Sequence, residues 1–300
     1  MVASPHPLPS LHPLVWRGYG GLPLAASASS PEAPPAVLFA HGFGQTRQAW
    51  SRSMQQLAAQ GIASAAWDMR GHGQSGRNAP GERYEVQQFI EDALAVRRAL
   101  PAAPVLVGAS MGGLVGLAAQ ARGAGFSALV LVDVTPKWEL AGMQRILAFM
   151  GAHPEGFEDF EHAAREIAAY LPHRRSRKSP ADLAHLLVRG EDGRLRWHWD
   201  PRLLQDLADS DRHQDELADA ARRIEVPVLL VSGGRSDLVS AETIAHFRSL
   251  VPHAEHVCLP HATHMVAGDD NDAFTRSILS FLGHRPHAAS STGPLRGALP

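Results

Sequence analysis

The chemistry of this chain gathers around one serine. Ser110 stands in Gly108-Ala109-Ser110-Met111-Gly112, directly after the apolar run Val105-Leu106-Val107 and directly before Leu114-Val115-Gly116-Leu117-Ala118-Ala119. The first run reads as a buried strand and the second as a helix. So sharp a turn between the two pushes the serine hydroxyl clear of the backbone, and small residues on either side keep the turn free of clashes. The amides that follow open the helix, so the partial positive charge of its N-terminus lies beside the hydroxyl. Gly-x-Ser-x-Gly alone is weak evidence in a chain with 27 glycines. Between a strand and a helix it marks a nucleophile.

A serine hydroxyl attacks a carbonyl only when a base takes its proton and a third group orients the base. On a strand–turn–helix architecture of this kind, an acid and then a histidine are expected downstream of the serine. Functional groups of open α/β sheets gather in loops at the carboxyl ends of strands. For the base, His264 follows the last apolar run in Leu259-Pro260-His261-Ala262-Thr263-His264. It is preferred to His261 because it lies just before the segment leading into the final helix. The His-x-x-His spacing sits in a loop with no third ligand in view, so no metal is expected. For the acid, Asp237 in Ser232-Gly233-Gly234-Arg235-Ser236-Asp237 is preferred. Its rival is Asp133, at the end of an earlier strand, which otherwise reads as a turn residue beside Thr135-Pro136.

A tetrahedral intermediate needs two preorganised backbone donors. Met111, next to the nucleophile, supplies one. Phe43 in His41-Gly42-Phe43-Gly44 is expected to supply the other, because Gly42 and Gly44 let the backbone turn an amide inward. His41 reads as a structural residue of that loop. Asp68-Met69-Arg70-Gly71-His72-Gly73-Gln74-Ser75 reads as loop scaffolding rather than chemistry. In Arg196-Trp197-His198-Trp199-Asp200-Pro201, the two tryptophans either line a substrate pocket or anchor the segment that carries them. Trp138 and the stretch Met143 to Met150 are further lining candidates.

These residues need a scaffold, and the order of elements provides one. Leu14 to Ser27 can hold two short strands around glycines. Apolar runs at 36–40, 62–67, 105–108, 128–133, 226–231 and 256–259 then alternate with helical patterns at 50–60, 86–100, 114–119, 241–250 and 270–282. That alternation predicts a parallel sheet covered on both faces. It breaks at Pro136, and from there to Arg222 the sequence is helical in character, more charged and without a buried-strand run. The expected organisation is therefore a core over 14–135 and 223–283, a helical cap inserted over 136–222, and disordered tails over 1–13 and 284–300.

Bulk properties exclude several classes. The 28 basic and 30 acidic residues nearly cancel, so no global field favours nucleic acid or a membrane surface. The run His173-Arg174-Arg175-Ser176-Arg177-Lys178 lacks interleaved aromatics and reads as a solvated linker. No apolar stretch approaches the roughly 20 residues needed to span a bilayer. The N-terminus lacks the cationic start and apolar core of a secretory signal, so a cytoplasmic location is expected. The single cysteine, Cys258, rules out a disulfide framework and reads as a buried strand residue.

Taken together, the residues from Leu14 to Leu282 resemble the α/β-hydrolase superfamily. The resemblance rests on His-Gly-Phe-Gly at 41–44, Asp-x-Arg-Gly-His-Gly-x-Ser at 68–75, Gly-x-Ser-x-Gly at 108–112, Asp237 and His264. It implies a mostly parallel eight-stranded sheet with helices on both faces and an inserted helical cap. The segment from His264 to Phe274 resembles a subgroup of esterases, epoxide-hydrolase-like proteins and proteins labelled as cofactor-free peroxidases. Epoxide hydrolases and haloalkane dehalogenases of the superfamily carry aspartate at the nucleophile position, whereas this chain has Ser110. The resemblance therefore implies a cofactor-free serine hydrolase acting on small carboxylic esters or lactones, with Ser110, His264 and Asp237 as its triad. Alternative readings are a ligand-binding relative with little turnover, and perhydrolase or oxygen chemistry on the same histidine and acid.

Overall fold

The short apolar runs become strands because both of their faces are covered. In the computed structural model, which describes residues 9–170, 183–207 and 213–283, β3 (Val37–Ala40), β4 (Ser64–Trp67), β6 (Ala128–Val132) and β9 (Val228–Gly233) are buried along their whole length. With β1 (His12–Arg17), β2 (Pro23–Ala28), β5 (Val105–Ala109) and β10 (Glu255–Leu259) they form one eight-stranded sheet, ordered β1-β2-β4-β3-β5-β6-β9-β10. Only β1 and β2 run antiparallel to their neighbours, and every pairing from β4 to β10 is parallel. The expected mostly parallel sheet is present. Its first strand begins at His12, inside the expected N-terminal tail, where six register pairs with β2 hold it.

Side chains of a strand alternate between faces, and β3 shows the consequence. Leu38 and Ala40 join a core with α2 (Val86–Arg98) and α3 (Met111–Ala121), through Val96 and Leu117. Val37 and Phe39 face the opposite core, built from Met54 and Leu57 of α1 (Ser51–Ala58) and from Phe274 and Ile278 of a C-terminal helix. A parallel sheet needs this double cover because its crossover helices have nowhere else to go. β10 is an edge strand, and there Cys258 is exposed rather than buried as its apolar neighbours suggested. Among the described residues no helix is long and apolar enough to cross a membrane.

Between β6 and β9 the chain leaves the sheet. It forms α4 (Leu140–Gly151), α5 (Phe160–Tyr170), a hairpin of β7 (Leu187–Arg189) and β8 (Leu195–Trp197), α6 (Leu203–Leu207) and α7 (Gln214–Arg222). The hairpin departs from the all-helical expectation. Its strands of three residues are too short to show a period of two in the sequence. They are held by a turn at Gly193 (φ 78°) and by Leu187 and Leu195, which share a small core with Phe157 and Ile167. α7 packs Leu217 and Ala221 into the core beside Leu117 of α3. After β9 come α8 (Ala241–Leu250), β10, the short α9 (Val266–Asp269) and α10 (Asn271–Gly283). The basic run 173–178 and the tails over 1–8 and 284–300 lie outside the described residues.

Candidate active site

Ser110 occupies the turn between β5 and α3, and its backbone is in a conformation that residues with a Cβ rarely adopt (φ 46°, ψ −120°). The two flanking glycines make that turn possible. A Cβ on Gly108 would sit 2.5 Å from the carbonyl oxygen of Gly112, and one on Gly112 would sit 2.5 Å from that of Ala40. The turn is pinned by Ser110 N–H donating to the Val132 carbonyl at 3.1 Å, and by the Gly113 and Leu114 amides donating to the Ser110 carbonyl. Strain held in place by its surroundings is characteristic of functional positions. The serine opens on a large cavity whose wall also includes His264, Phe43, Met111 and much of α4.

His264 lies in the loop after β10, as the sequence suggested, and His261 next to it is exposed. The loop is braced from within: Thr263 donates from its amide and hydroxyl to one oxygen of Asp269. The acid opposite His264 is not the expected one. His264 Nδ1 donates to Asp133 Oδ2 at 2.8 Å, and Asp133 is completely buried. Its other donors are the Gly233 amide, at 2.7 Å to Oδ1, and the Ser236 hydroxyl, at 2.5 Å to Oδ2. Asp133 also has a left-handed backbone (φ 50°), and its amide donates to the Val231 carbonyl. Burying such a polar group requires partners, and three donors are aimed at this one.

Asp237 is elsewhere. Its carboxylate pairs with Arg145 of α4, on the wall of the same cavity, and its side chain remains 26% exposed. The physical reason is tether length. Asp133 is the first residue after β6, and β6 lies between the strand that carries Ser110 and the strands that lead to His264. Asp237 is four residues past the end of β9, far enough out to meet the inserted segment. The Ser236 hydroxyl is a participant that the sequence reading did not single out. It donates to Asp133 while accepting from the amides of Leu238 and Val239, each at 3.1 Å.

Phe43 and Met111, the two expected backbone donors, both line the cavity into which Ser110 opens. A Cβ on Gly42 would lie 3.3 Å from the Cβ of Ser110, so the 42–44 loop passes directly over the nucleophile. The amides flanking Phe43 are engaged: Gly42 donates to Gln45 Oε1 at 3.2 Å, and Gly44 to His72 Nε2 at 3.3 Å. Among the described residues the amides of Phe43 and Met111 have no partner.

Three buried histidines hold this loop and stay neutral. His41 donates from Nδ1 to the Gly42 carbonyl, and its Nε2 accepts from the Met69 amide. His198, from the inserted segment, accepts from the Gly73 amide at 2.7 Å and donates to the Gly44 carbonyl. Burial lowers His41, pushes His72 well below the usual histidine range, and takes His198 down to about 4. The 68–75 loop is a scaffold, as expected. Asp68 receives the guanidinium and amide of Arg47 and the amide of Gln74, while Arg70 forms a two-pronged pair with Asp92.

The tryptophans divide by role. Trp138 and Trp197 line the cavity, with Met143, Ile146, Leu147, Phe149 and Met150 of α4. Trp199 does not line it. It packs behind Phe43, with ring centroids 4.9 Å apart, in the stretch where Asp200 accepts from the Tyr84 hydroxyl and Arg202 donates to the carbonyls of Asn78 and Ala79. That stretch anchors the insertion to the core.

A buried carboxylate on a histidine, a serine on a strained turn and two unengaged amides at one cavity define a class of protein. The chain belongs to the Alpha/beta hydrolase family, whose sequence profile matches residues 37–276. It is 30% identical over 248 residues to a 3-hydroxybutyrate-oligomer hydrolase of Cupriavidus necator, covering 78% of this chain and 84% of that protein. It is likewise 30% identical over 261 residues to an esterase of Mycobacterium tuberculosis, covering 84% of each. Among solved structures, that of E-2-(acetamidomethylene)succinate hydrolase superposes with a TM-score of 0.78 at 25% identity, covering 91% of this chain and all of that one.

Proposed function

We propose that this protein is a serine hydrolase of carboxylic esters, lactones included, working through an acyl-enzyme. The observation that carries the reading is the hydrogen bond from His264 to the fully buried Asp133, on the cavity into which Ser110 opens. In this mechanism His264 Nε2 takes the Ser110 proton as Oγ attacks the carbonyl, and then passes it to the leaving alkoxide. Asp133 keeps the imidazole in the tautomer that leaves Nε2 free and stabilises the imidazolium that forms. The Phe43 and Met111 amides hold the oxyanion. Water then deacylates Ser110 by the same route in reverse.

The inserted segment acts as a cap. Its apolar α4 and Trp197 favour an apolar portion of the ester next to the nucleophile. Relatives described as an esterase and as a hydrolase of 3-hydroxybutyrate oligomers support ester cleavage. The test is turnover of activated esters and lactones by wild type and Ser110→Ala. Loss of about 10⁶ in kcat is expected when the nucleophile is removed, together with loss of covalent labelling by a fluorophosphonate. A folded Ser110→Ala protein with wild-type turnover overturns the reading.

A further inference from the structure

Among the polar residues of the cavity wall, one group on α4, α5 and the loop after β9 is left unused by the acyl-transfer steps. Arg145 of α4 donates to Asp237, the residue after Ser236, and its side chain is 60% exposed. Only one guanidinium nitrogen is engaged there, so other N–H groups remain open. Tyr170, at the end of α5, faces the same pair. Its hydroxyl is pushed up to about 12, chiefly by burial, with Asp237 adding to the shift and Arg145 opposing it. Arg235 lies two residues before Asp237 on the same loop, and its amide donates to the Ala262 carbonyl, two residues from His264. Its guanidinium makes no hydrogen bond or ion pair among the described residues.

All four side chains belong to residues lining the cavity that holds Ser110 and His264. Contacts connect the cluster to the reacting groups: His264 meets Asp133, Asp133 meets Ser236, and Asp237 follows Ser236 on the chain. Within this group two arginines stand against one aspartate, and Arg145 is paired with it. Gly142 of α4 leaves no room for adjustment, since a Cβ there would lie 1.9 Å from the Asp237 carbonyl oxygen. The guanidinium of Arg145 is therefore carried on a helix seated directly against the loop. Polar groups placed in a pocket fix the orientation of a ligand, and guanidinium groups with free N–H pairs suit a carboxylate.

We infer that the substrate is an ester carrying a second, anionic group, a carboxylate, and that Arg145 and Arg235 bind it while Ser110 attacks the ester carbonyl. This rests on the hydrolase reading and adds the substrate class to it. Tyr170 supplies a hydroxyl donor to the same carboxylate, and Asp237 holds Arg145 in position in its absence.

The experiment compares paired esters that differ only in this charge. One pair is para-nitrophenyl hydrogen glutarate against para-nitrophenyl methyl glutarate. The other is the acetate ester of para-hydroxybenzoate against that of para-hydroxybenzamide, which places the charge on the alcohol side. In wild type, the ratio of kcat/KM for the anionic over the neutral member is expected to reach about tenfold or more in at least one pair, as one charge-assisted contact supplies. That ratio should fall towards one in Arg145→Gln and in Arg235→Gln, through KM, and should shrink as salt is added.

If neutral and anionic esters are hydrolysed equally well in both pairs, the carboxylate site is wrong and the hydrolase reading stands. If no ester is hydrolysed, the hydrolase reading falls, and calorimetric binding of free glutarate decides the site. Binding that is lost in Arg145→Gln retains it. Absent or unchanged binding overturns it.

Discussion

Two aspartates at the ends of neighbouring strands have opposite surroundings. Asp133, first after β6, is inaccessible to solvent, has a left-handed backbone and receives an amide, a hydroxyl and an imidazole N–H. Asp237, four residues past β9, is partly exposed and bound to an arginine that is mostly in solvent. One carboxylate is fixed by three donors, from the end of β9 and from the loops after β9 and β10, and the other is held by a single partner on α4. A group that must orient a histidine needs the first kind of environment, since a fixed acceptor costs no reorganisation as charge forms. Exposed ion pairs contribute little, typically under about 1 kcal/mol, and suit a position whose partner changes.

Substitutions at these residues rank the contrast. Asp133→Asn should lower kcat on a neutral ester by about 10⁴, because an amide favours the wrong imidazole tautomer. A loss of less than tenfold would transfer the orienting role away from it. Ser236→Ala removes the hydroxyl that shares Oδ2 with His264, and should lower kcat by about ten- to a hundredfold with little change in KM. Ser236→Thr should restore most of it. If KM rises instead while kcat holds, Ser236 acts on binding and not through Asp133. Asp237→Asn should cost about threefold on a neutral ester, and a loss as large as that of Asp133→Asn would reverse the comparison.

The smallest effect belongs to the seam between insertion and core. His198 is neutral in the folded state, with its pKa taken from 6.5 to about 4 mainly by burial. His72 and His41 are shifted in the same direction. As pH falls below about 6.5, the unfolded chain binds protons that the folded chain refuses until about pH 4, so stability is present at neutral pH and declines across that window. Thermal melts should show Tm falling by several degrees between about pH 7 and about pH 4.5. His198→Gln should flatten that slope, and an equally steep decline in the variant would place the acid sensitivity elsewhere.

Much of this was legible in the residues. The nucleophile turn could be read because Gly108 and Gly112 are demanded by contacts within a few residues and at the next strand. The loop of the proposed oxyanion donor could be read because Gly42 and Gly44 announce a tightly packed backbone turn. The histidine was placed by its distance from the final helix. The hairpin in the insertion was invisible because three-residue strands show no period. Cys258 misled because an apolar run does not say whether its strand lies at the edge of the sheet.

The choice of acid marks the boundary between the two kinds of information. Sequence by itself determined the fold class and pointed to Ser110, His264, Phe43 and Met111 for the proposed nucleophile, base and oxyanion donors, because each depends on local geometry and chain order. It also narrowed the acid to Asp133 or Asp237, since both follow strands. Only the tertiary structure shows which of them meets His264. Strand order is a long-range property, and it places the end of β6 between the serine strand and the histidine loop while α4 draws Asp237 towards Arg145. The same folding of the insertion brought Arg145 to Asp237 on the wall of the cavity that holds Ser110, from residues that lie far apart along the chain.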